Sequence, residues 1–185
     1  MKQRSIACIL FLLMTAVAAQ AEDFSALVDA AKQSFPQDKV KAVQEARQAI
    51  LSVWNDLPLT ADNARLVEDT KEYAPRESNV YASGEKIFMT AELIGAQIKK
   101  IGHVYSIEVA TDFYLRDEKA EKILFEKKNF GRFAHTSPVQ NTEFFLNLSY
   151  TLTGMPAGIY TLQTVVRDVH SGKSTMFSNA VEIKL

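Results

Sequence analysis

Apolar and polar residues alternate strictly through much of the second half of the chain, and few folds accommodate that pattern. From Tyr105 to Leu115 every second residue is apolar or threonine, and the residues between them are mainly polar. Successive side chains of a β-strand point to opposite sheet faces, so this pattern predicts a strand that is buried on one face only. By the same reasoning we expect strands near residues 64–70, 86–94, 103–115, 121–127, 143–152, 159–168 and 174–184.

Turn residues separate these segments and define a final hairpin. A Pro-Ala-Gly turn at residues 156–158 opens it, and Ser171-Gly172 allows the positive φ that its own turn requires. Antiparallel strands with one apolar face each close most simply as two packed sheets. We therefore predict a mainly β protein, with an immunoglobulin-like antiparallel β-sandwich of about seven strands over residues 59–185. A barrel is the alternative.

The first 21 residues have the pattern of a cleaved signal peptide. Lys2 and Arg4 precede an apolar run, and Ala19-Gln20-Ala21 is a small-x-small cleavage pattern. Cys8 is the single cysteine and precedes most of that run, so the mature chain would have no thiol and no disulfide. These features predict export to a bacterial periplasm, with secretion as the alternative, and no membrane insertion after cleavage.

Residues 22–58 have helical rather than strand periodicity. We predict one short helix from Asp23 to Phe35 and a second one with Asp38 as its N-cap, ended by Pro58. Val40, Val43, Ile50 and Trp54 lie along one stripe of the second helix. This stripe either packs against the following domain or, with Trp54 as a contact, docks on a partner protein or on a second copy of the chain.

The residues of the final hairpin resemble a known family. Gly154–Leu162, Val166-Arg167-Asp168 and Ser171-Gly172-Lys173 are similar to the penultimate hairpin of bacterial extracellular immunoglobulin-like domains. Together with residues 79–85 and 130–133, they resemble a group of uncharacterised exported proteins of Gram-negative bacteria that have such a domain. The resemblance implies an immunoglobulin-like fold and a periplasmic location, and it implies no site residues.

Charge and residue spacing argue against several classes of function. Removal of the leader leaves 19 basic and 22 acidic residues, a net charge of −3, and no basic face is suggested, so nucleic acid is not an expected partner. His103, His135 and His170 show no paired ligand spacing, and the chain has no Gly-x-Ser-x-Gly turn and no phosphate-binding glycine loop. We predict no metal, no cofactor and no catalytic activity.

The segment from Phe125 to Val139 is the best candidate for a binding site. It is long for a hairpin connection and carries Phe130, Arg132, Phe133 and His135, which are residue types that anchor interfaces or stack on sugars. The alternative is that its aromatic residues cap the end of the sandwich, or that it contains an edge strand. The leading functional hypothesis is a non-catalytic periplasmic interaction module that binds another envelope protein. The second is a small-ligand or glycan-binding module that uses the loop from Phe130 to His135.

Overall fold

A computed structural model of the protein describes residues 23–119 and 121–184. The chain divides into two compact units, one ending at Asp56 and the other beginning at Leu57. The predicted leader, residues 1–21, lies outside the described residues. Within those residues, no helix has the length and apolarity required to cross a membrane.

The first unit contains both predicted helices. Residues 23–34 are helical (α1), and α2 spans Lys39–Trp54. The carboxylate of Asp38 accepts a hydrogen bond from the Lys41 backbone N–H at 2.9 Å, which confirms the predicted N-cap. The residues that α2 buries are Ala42, Ala49 and Trp54, whereas Val43 is 67% exposed. The apolar stripe of this helix is therefore buried only in part.

The second unit is built from two β-sheets with nine strands among the described residues. The smaller sheet has the order β1-β3-β7 and consists of β1 (Thr60–Val67), β3 (Lys86–Ile94) and β7 (Phe145–Thr151), paired antiparallel. The larger sheet has the order β2-β9-β8-β5-β4, with β6 also paired to β5. Its strands are β2 (Val80–Ala82), β4 (Lys99–Ile101), β5 (Val104–Asp117), β6 (Lys122–Ser137), β8 (Gly158–Asp168) and β9 (Ser174–Lys184).

The core of this unit is formed by the apolar faces of the two sheets. Ile87, Met89 and Leu146 of the smaller sheet and Val109, Leu162 and Val181 of the larger one are each at most 1% exposed. These residues occupy every second position of their strands, as the alternation predicts. The Tyr150 hydroxyl on β7 also shares a hydrogen bond of 2.7 Å with the buried Thr164 hydroxyl on β8, which joins the sheets. The mainly β, sandwich-like class is thus confirmed.

The final hairpin is held by a buried aspartate. Asp168 is 2% exposed, and its carboxylate accepts hydrogen bonds from the backbone N–H groups of His170 (2.8 Å), Ser171 (3.2 Å) and Gln97 (2.6 Å). Gly172 has a φ of 77°, as expected for the predicted turn. Because its two carboxylate oxygens fix backbone groups of the turn and of the loop before β4, Asp168 has a structural role.

The strand assignment from sequence differs from the structure in three respects. The strand predicted at 64–70 is β1, which spans Thr60–Val67. The short strands β2 and β4 were not predicted, because three residues are too few to show an alternation. The predicted strand at 121–127 is instead the first part of β6, a 16-residue strand that ends at Ser137.

Candidate functional site

The segment from Phe130 to His135, predicted as part of a loop, belongs instead to strand β6. Antiparallel pairing with β5 runs from Tyr105 opposite Ser137 to Asp117 opposite Lys122. The physical reason lies in β5, a 14-residue strand whose edge offers backbone hydrogen-bonding groups along its length. The edge strand considered as the alternative is therefore what the structure contains.

Pairing with β5 distributes the predicted site residues over two faces of the sheet. Phe133 lies opposite Val109 and His135 opposite Ile107, so both belong to the apolar inner face. Arg132 lies opposite Ala110 on the outer face, where its guanidinium donates a hydrogen bond to Glu108 and lowers the pKa of that carboxyl. Trp54 is buried near the end of α2, in the other unit. The four predicted residues of β6 do not form one site, because they lie on two faces of the sheet.

A β-bulge in β6 turns Phe130 toward the inner face. Gly131 lies opposite Thr111 and Lys127 opposite Phe113, so residues 128–130 all face the single residue Asp112. Asn129 has a φ of 51°, a left-handed conformation that asparagine tolerates better than most residues. Lys127 keeps the inward position of the regular alternation, and the bulge brings Phe130 to the same face, where its ring centroid lies 5.4 Å from that of Phe113.

Buried Asp112 holds this bulge in place. Its carboxylate accepts hydrogen bonds from the Asn129 backbone N–H at 2.8 Å and from the Arg167 guanidinium at 2.7 Å. The Asn129 side-chain oxygen accepts a further bond from Arg167 at 3.0 Å. Burial by itself raises the pKa of Asp112, but the hydrogen bonds from Asn129 and Arg167, with the Lys128 charge, outweigh it and lower the pKa below its usual value.

Next to the bulge, an aromatic cleft opens between β5 and β6 of one sheet and β7 of the other. Its volume is about 430 Å³, within the roughly 300–1,000 Å³ typical of small-molecule sites. The walls are mainly apolar and come from both sheets and from the loop after β7: Phe113, Leu115, Phe125, Phe130, Tyr150, Leu152 and Met155. Ser149, Thr151, Thr153 and Lys127 add polar groups to the lining.

Four aromatic rings form the centre of this aromatic cleft. The Phe113 ring centroid lies 4.7 Å from that of Tyr150 and 5.4 Å from that of Phe130, and Phe130 stacks on Tyr150 at 5.4 Å with an interplanar angle of 8°. Phe125 completes the group at 6.2 Å from Phe113 and is 51% exposed. Phe113 and Tyr150 are each 4% exposed, so the floor of the cleft is fixed by the core and the Phe125 ring is accessible.

The polar groups of the aromatic cleft differ in their protonation chemistry. Burial raises the pKa of Tyr150 to about 12, opposed by its hydrogen bond with Thr164. This phenol is therefore protonated at neutral pH and is a poor general base. Lys127 is exposed, and its Nζ lies 5.7 Å from the Phe130 ring centroid. The arrangement provides apolar surface and one ammonium.

Gly131 is required by the packing of Phe133. A Cβ at position 131 would lie 2.6 Å from one carbon of the Phe133 ring and 3.2 Å from the Thr111 hydroxyl oxygen. The ring of Phe133 therefore covers the glycine backbone next to the bulge, and any larger residue there would displace it.

Most residues of the aromatic cleft were not predicted as site residues from the sequence. Phe113 lies in the alternating series from Tyr105 to Leu115, but alternation alone does not show where two sheets separate. One signal was present in the sequence. Lys127 follows Phe125 at the next position of the inner face, and a lysine at such a position indicates that the face reaches solvent there.

The helical unit has a hollow of its own, here called the helical groove. It has a volume of about 440 Å³ and is lined mainly by apolar residues of α1, α2 and their connection, including Phe24, Val28, Phe35, Val43 and Ile50. Lys32, which also lines it, forms an ion pair with Asp29 at 3.0 Å.

Comparisons with known proteins do not place the chain in a family. No family model matches, and no curated protein matches. A solved alkylpurine DNA glycosylase of Pseudomonas fluorescens bound to DNA matches 80% of this chain and 38% of its own length, with 10% identity and a TM-score of 0.41. The sporulation control protein Spo0M of Bacillus subtilis matches 70% of this chain and 50% of its own length, with 14% identity and a TM-score of 0.39.

A third solved structure is a Niemann-Pick type C2 protein from the Japanese carpenter ant. The match covers 69% of this chain and 94% of that one, with 10% identity and a TM-score of 0.41. The chain thus spans about two fifths and one half of the first two structures and almost all of the third.

Proposed function

We propose that this protein is an exported, non-catalytic binding module with an immunoglobulin-like sandwich, and that its aromatic cleft binds a small apolar molecule. The strand order supports the fold: the smaller sheet is β1-β3-β7, and β9, β8 and β5 are neighbours in the larger one. β2 joins β9 in parallel. The Tyr160 hydroxyl, at the start of β8, donates a hydrogen bond of 2.9 Å to the Pro156 carbonyl, an arrangement that matches the tyrosine corner of such sandwiches.

The buried carboxylates support a non-catalytic role. Asp112 and Asp168 each accept hydrogen bonds from backbone N–H groups that fix a bulge and a turn. Asp112 also has its pKa lowered, whereas a general acid or base at neutral pH requires a raised one. These two residues therefore have structural roles.

The aromatic cleft is the observation that carries the proposed function. Its floor is fixed by buried Phe113 and Tyr150, on strands that backbone ladders hold in register. A preformed apolar hollow binds apolar molecules without the cost of ordering its walls. The half-exposed ring of Phe125 becomes covered when the cleft is filled, which supplies a favourable burial term.

The experiment is a binding titration of the chain, purified after export, with decanol, followed by calorimetry and by the melting temperature. We expect saturable binding to the wild type and weaker binding to Phe125→Ala, because that variant removes exposed cleft wall without touching the buried floor. Val43→Ser, in the helical groove, is the matched control and is expected to bind as the wild type does. Equal binding by Phe125→Ala, or no binding by the wild type, would reject the cleft as the site.

The export proposal is tested separately by cell fractionation and N-terminal sequencing. The expected result is a periplasmic protein that begins at Glu22, since Ala19-Gln20-Ala21 has the pattern of a cleavage site. A cytoplasmic protein that still begins at Met1 would contradict it.

A second candidate function is binding of another envelope protein, or of a second copy, along the edge of β6. Among the described strands β6 pairs with β5, and the residues of its first half, Lys122–Asn129, are exposed. An unpaired strand edge offers backbone groups to an extended segment of a partner, in the manner of β-augmentation.

In-cell photo-crosslinking distinguishes this candidate. Crosslinkers placed at Arg132, Ala134 and Thr136 are expected to react with successive positions of one extended partner segment, while a crosslinker at exposed Ser178 on β9 does not. Adducts that are scattered over several proteins, or equal capture at Ser178, would reject edge pairing. Adducts between two copies of the chain would identify the partner as a self-copy.

A further inference from the structure

We infer that the natural occupant of the aromatic cleft is a free amphiphile with one apolar chain and an anionic head group, which is bound by Lys127. This inference rests on the proposed function, since it names the class of molecule that the cleft takes. It depends on two features of the cleft: its aromatic walls and the position of Lys127.

The position of Lys127 is set by the register of β6. Lys127 lies directly opposite Phe113, so its side chain belongs to the face that forms the cleft. Its ammonium lies 5.7 Å from the Phe130 ring centroid, and Phe130 is itself part of the wall. A long side chain on an inward position extends its charged end toward solvent, which places the ammonium at the mouth of the cleft.

Lys127 also lacks a carboxylate partner, unlike the lysine beside it. Within residues 23–119 and 121–184, no carboxylate lies within 4.0 Å of its ammonium. Lys128 instead forms ion pairs with Glu126 at 3.1 Å and with Asp112 at 4.0 Å. Glu126 lies opposite Tyr114, on the outer face of the sheet. Of the residues that line the cleft, Lys127 carries the charge, so the mouth favours an anion.

The other residues of the lining match an apolar chain. Ser149 and Thr151 alternate with inward-facing Tyr150 on β7, so their hydroxyl groups lie on the outer face of that sheet, and Lys127 is the group that meets an anionic head. The rings of Phe113, Phe125, Phe130 and Tyr150 offer apolar contact to a chain but no further charge. A neutral sugar would leave Lys127 without a partner, and a cation would meet its repulsion.

Three probes with the same chain and different head groups test the inference: decanoate, decanol and decyltrimethylammonium, each below its micelle concentration. The expected order of affinity is decanoate, then decanol, then decyltrimethylammonium, with decanoate about two- to fivefold tighter than decanol, as for an exposed ion pair. The advantage of decanoate is also expected to decrease as salt is added, because salt screens the charge of the ammonium.

Variants at Lys127 assign the head-group preference to a residue. Lys127→Gln is expected to bind decanol as the wild type does and to lose the preference for decanoate, while Lys127→Arg retains it. Lys122→Gln, on the same strand but outside the lining of the cleft, is the matched control and keeps the preference.

The possible failures are distinguishable. Equal binding of decanoate and decanol, or an unchanged preference in Lys127→Gln, overturns the anionic head while leaving an apolar site in place. Absence of binding by all three probes overturns the proposed function as well. Co-flotation with phosphatidylglycerol vesicles that decanoate does not compete away would assign Lys127 to a membrane surface and overturn the free amphiphile.

Discussion

The helical groove and the aromatic cleft have nearly equal volumes, about 440 and 430 Å³, but their walls are built differently. The groove lies along two short helices whose buried residues next to it, Ala42 and Ala49, are small, and Val43 in its wall is 67% exposed. The cleft has a floor of large rings that are 4% exposed and are fixed by backbone ladders.

The charged residues of the two hollows differ in the same way. Lys32 of the helical groove is already paired with Asp29 on its own helix at 3.0 Å. Lys127 of the aromatic cleft has an aromatic ring beside it instead. Volume therefore does not distinguish a binding site from a surface hollow. Fixed walls and a charged group that is not already in an ion pair do.

The largest expected difference between the two hollows is the cost of removing an aromatic ring. Phe113→Ala should lower the free energy of unfolding by about 3–5 kcal/mol, because Phe113 is buried against three other rings. Phe35→Ala should change it by about 0.5 kcal/mol or less, since Phe35 is 58% exposed. Urea unfolding of both variants measures this, and similar losses would mean that the groove is packed as firmly as the cleft.

The bulge that aims Phe130 into the cleft should be sensitive to its backbone conformation. Asn129→Val should cost about 1–3 kcal/mol, because a β-branched residue is strained at a φ of 51°. Asn129→Gly is the matched control, since glycine adopts that conformation without strain and should retain decanol binding. The measurement is urea unfolding with a parallel titration, and equal losses in both variants would show that the side-chain bond to Arg167 matters more than the backbone.

A smaller effect is expected on the acid side of the stability profile. The pKa of Asp112 is lower in the folded state than its ordinary value near 4, so its contribution to stability is complete above that value and is lost as the pH falls through the lowered pKa. As the pH is lowered below about 4, the urea midpoint of unfolding should fall more steeply for the wild type than for Asp112→Asn. Parallel profiles would show that Asp112 contributes no pH dependence.

The smallest effect is expected from a polar substitution in the helical groove. Val43→Ser should change the free energy of unfolding by about 0.5 kcal/mol or less, because the residue is already mostly exposed. Urea unfolding followed by the fluorescence of Trp54, the single tryptophan, which lies in the helical unit, measures it. A loss above about 1 kcal/mol would show that the groove is covered in solution.

Predictions of local features from the sequence were correct, whereas the prediction that depended on a neighbouring strand was not. The N-cap at Asp38 and the turn at Gly172 are local, because each depends on a few neighbouring residues, and both were predicted correctly. The segment from Phe125 to Val139 was interpreted as a long hairpin connection, whereas the structure contains a strand whose alternation is broken at residues 128–130. That break is a bulge, and it is recognisable only when Asp112 on the neighbouring strand is known to face it.

The candidate site shows the same division between local pattern and long-range contact. Phe130 was predicted as a site residue and does line the cleft, but Phe133 covers Gly131 and Arg132 lies on the outer face. Phe113 and Tyr150, which form the floor, lie 37 residues apart in the sequence and meet at 4.7 Å. No pattern within either strand indicates that encounter.

The sequence by itself determined the two helices, the mainly β class and the apolar face of the strand from Tyr105 to Leu115, because periodicity and turn chemistry depend on residues close together in the chain. The tertiary structure decided that β6 pairs along all of β5, that the bulge opposite Asp112 turns Phe130 inward, and that Lys127 stands at the mouth of an aromatic cleft. These features depend on which strands become neighbours and where two sheets separate, and contacts between residues distant in sequence set both.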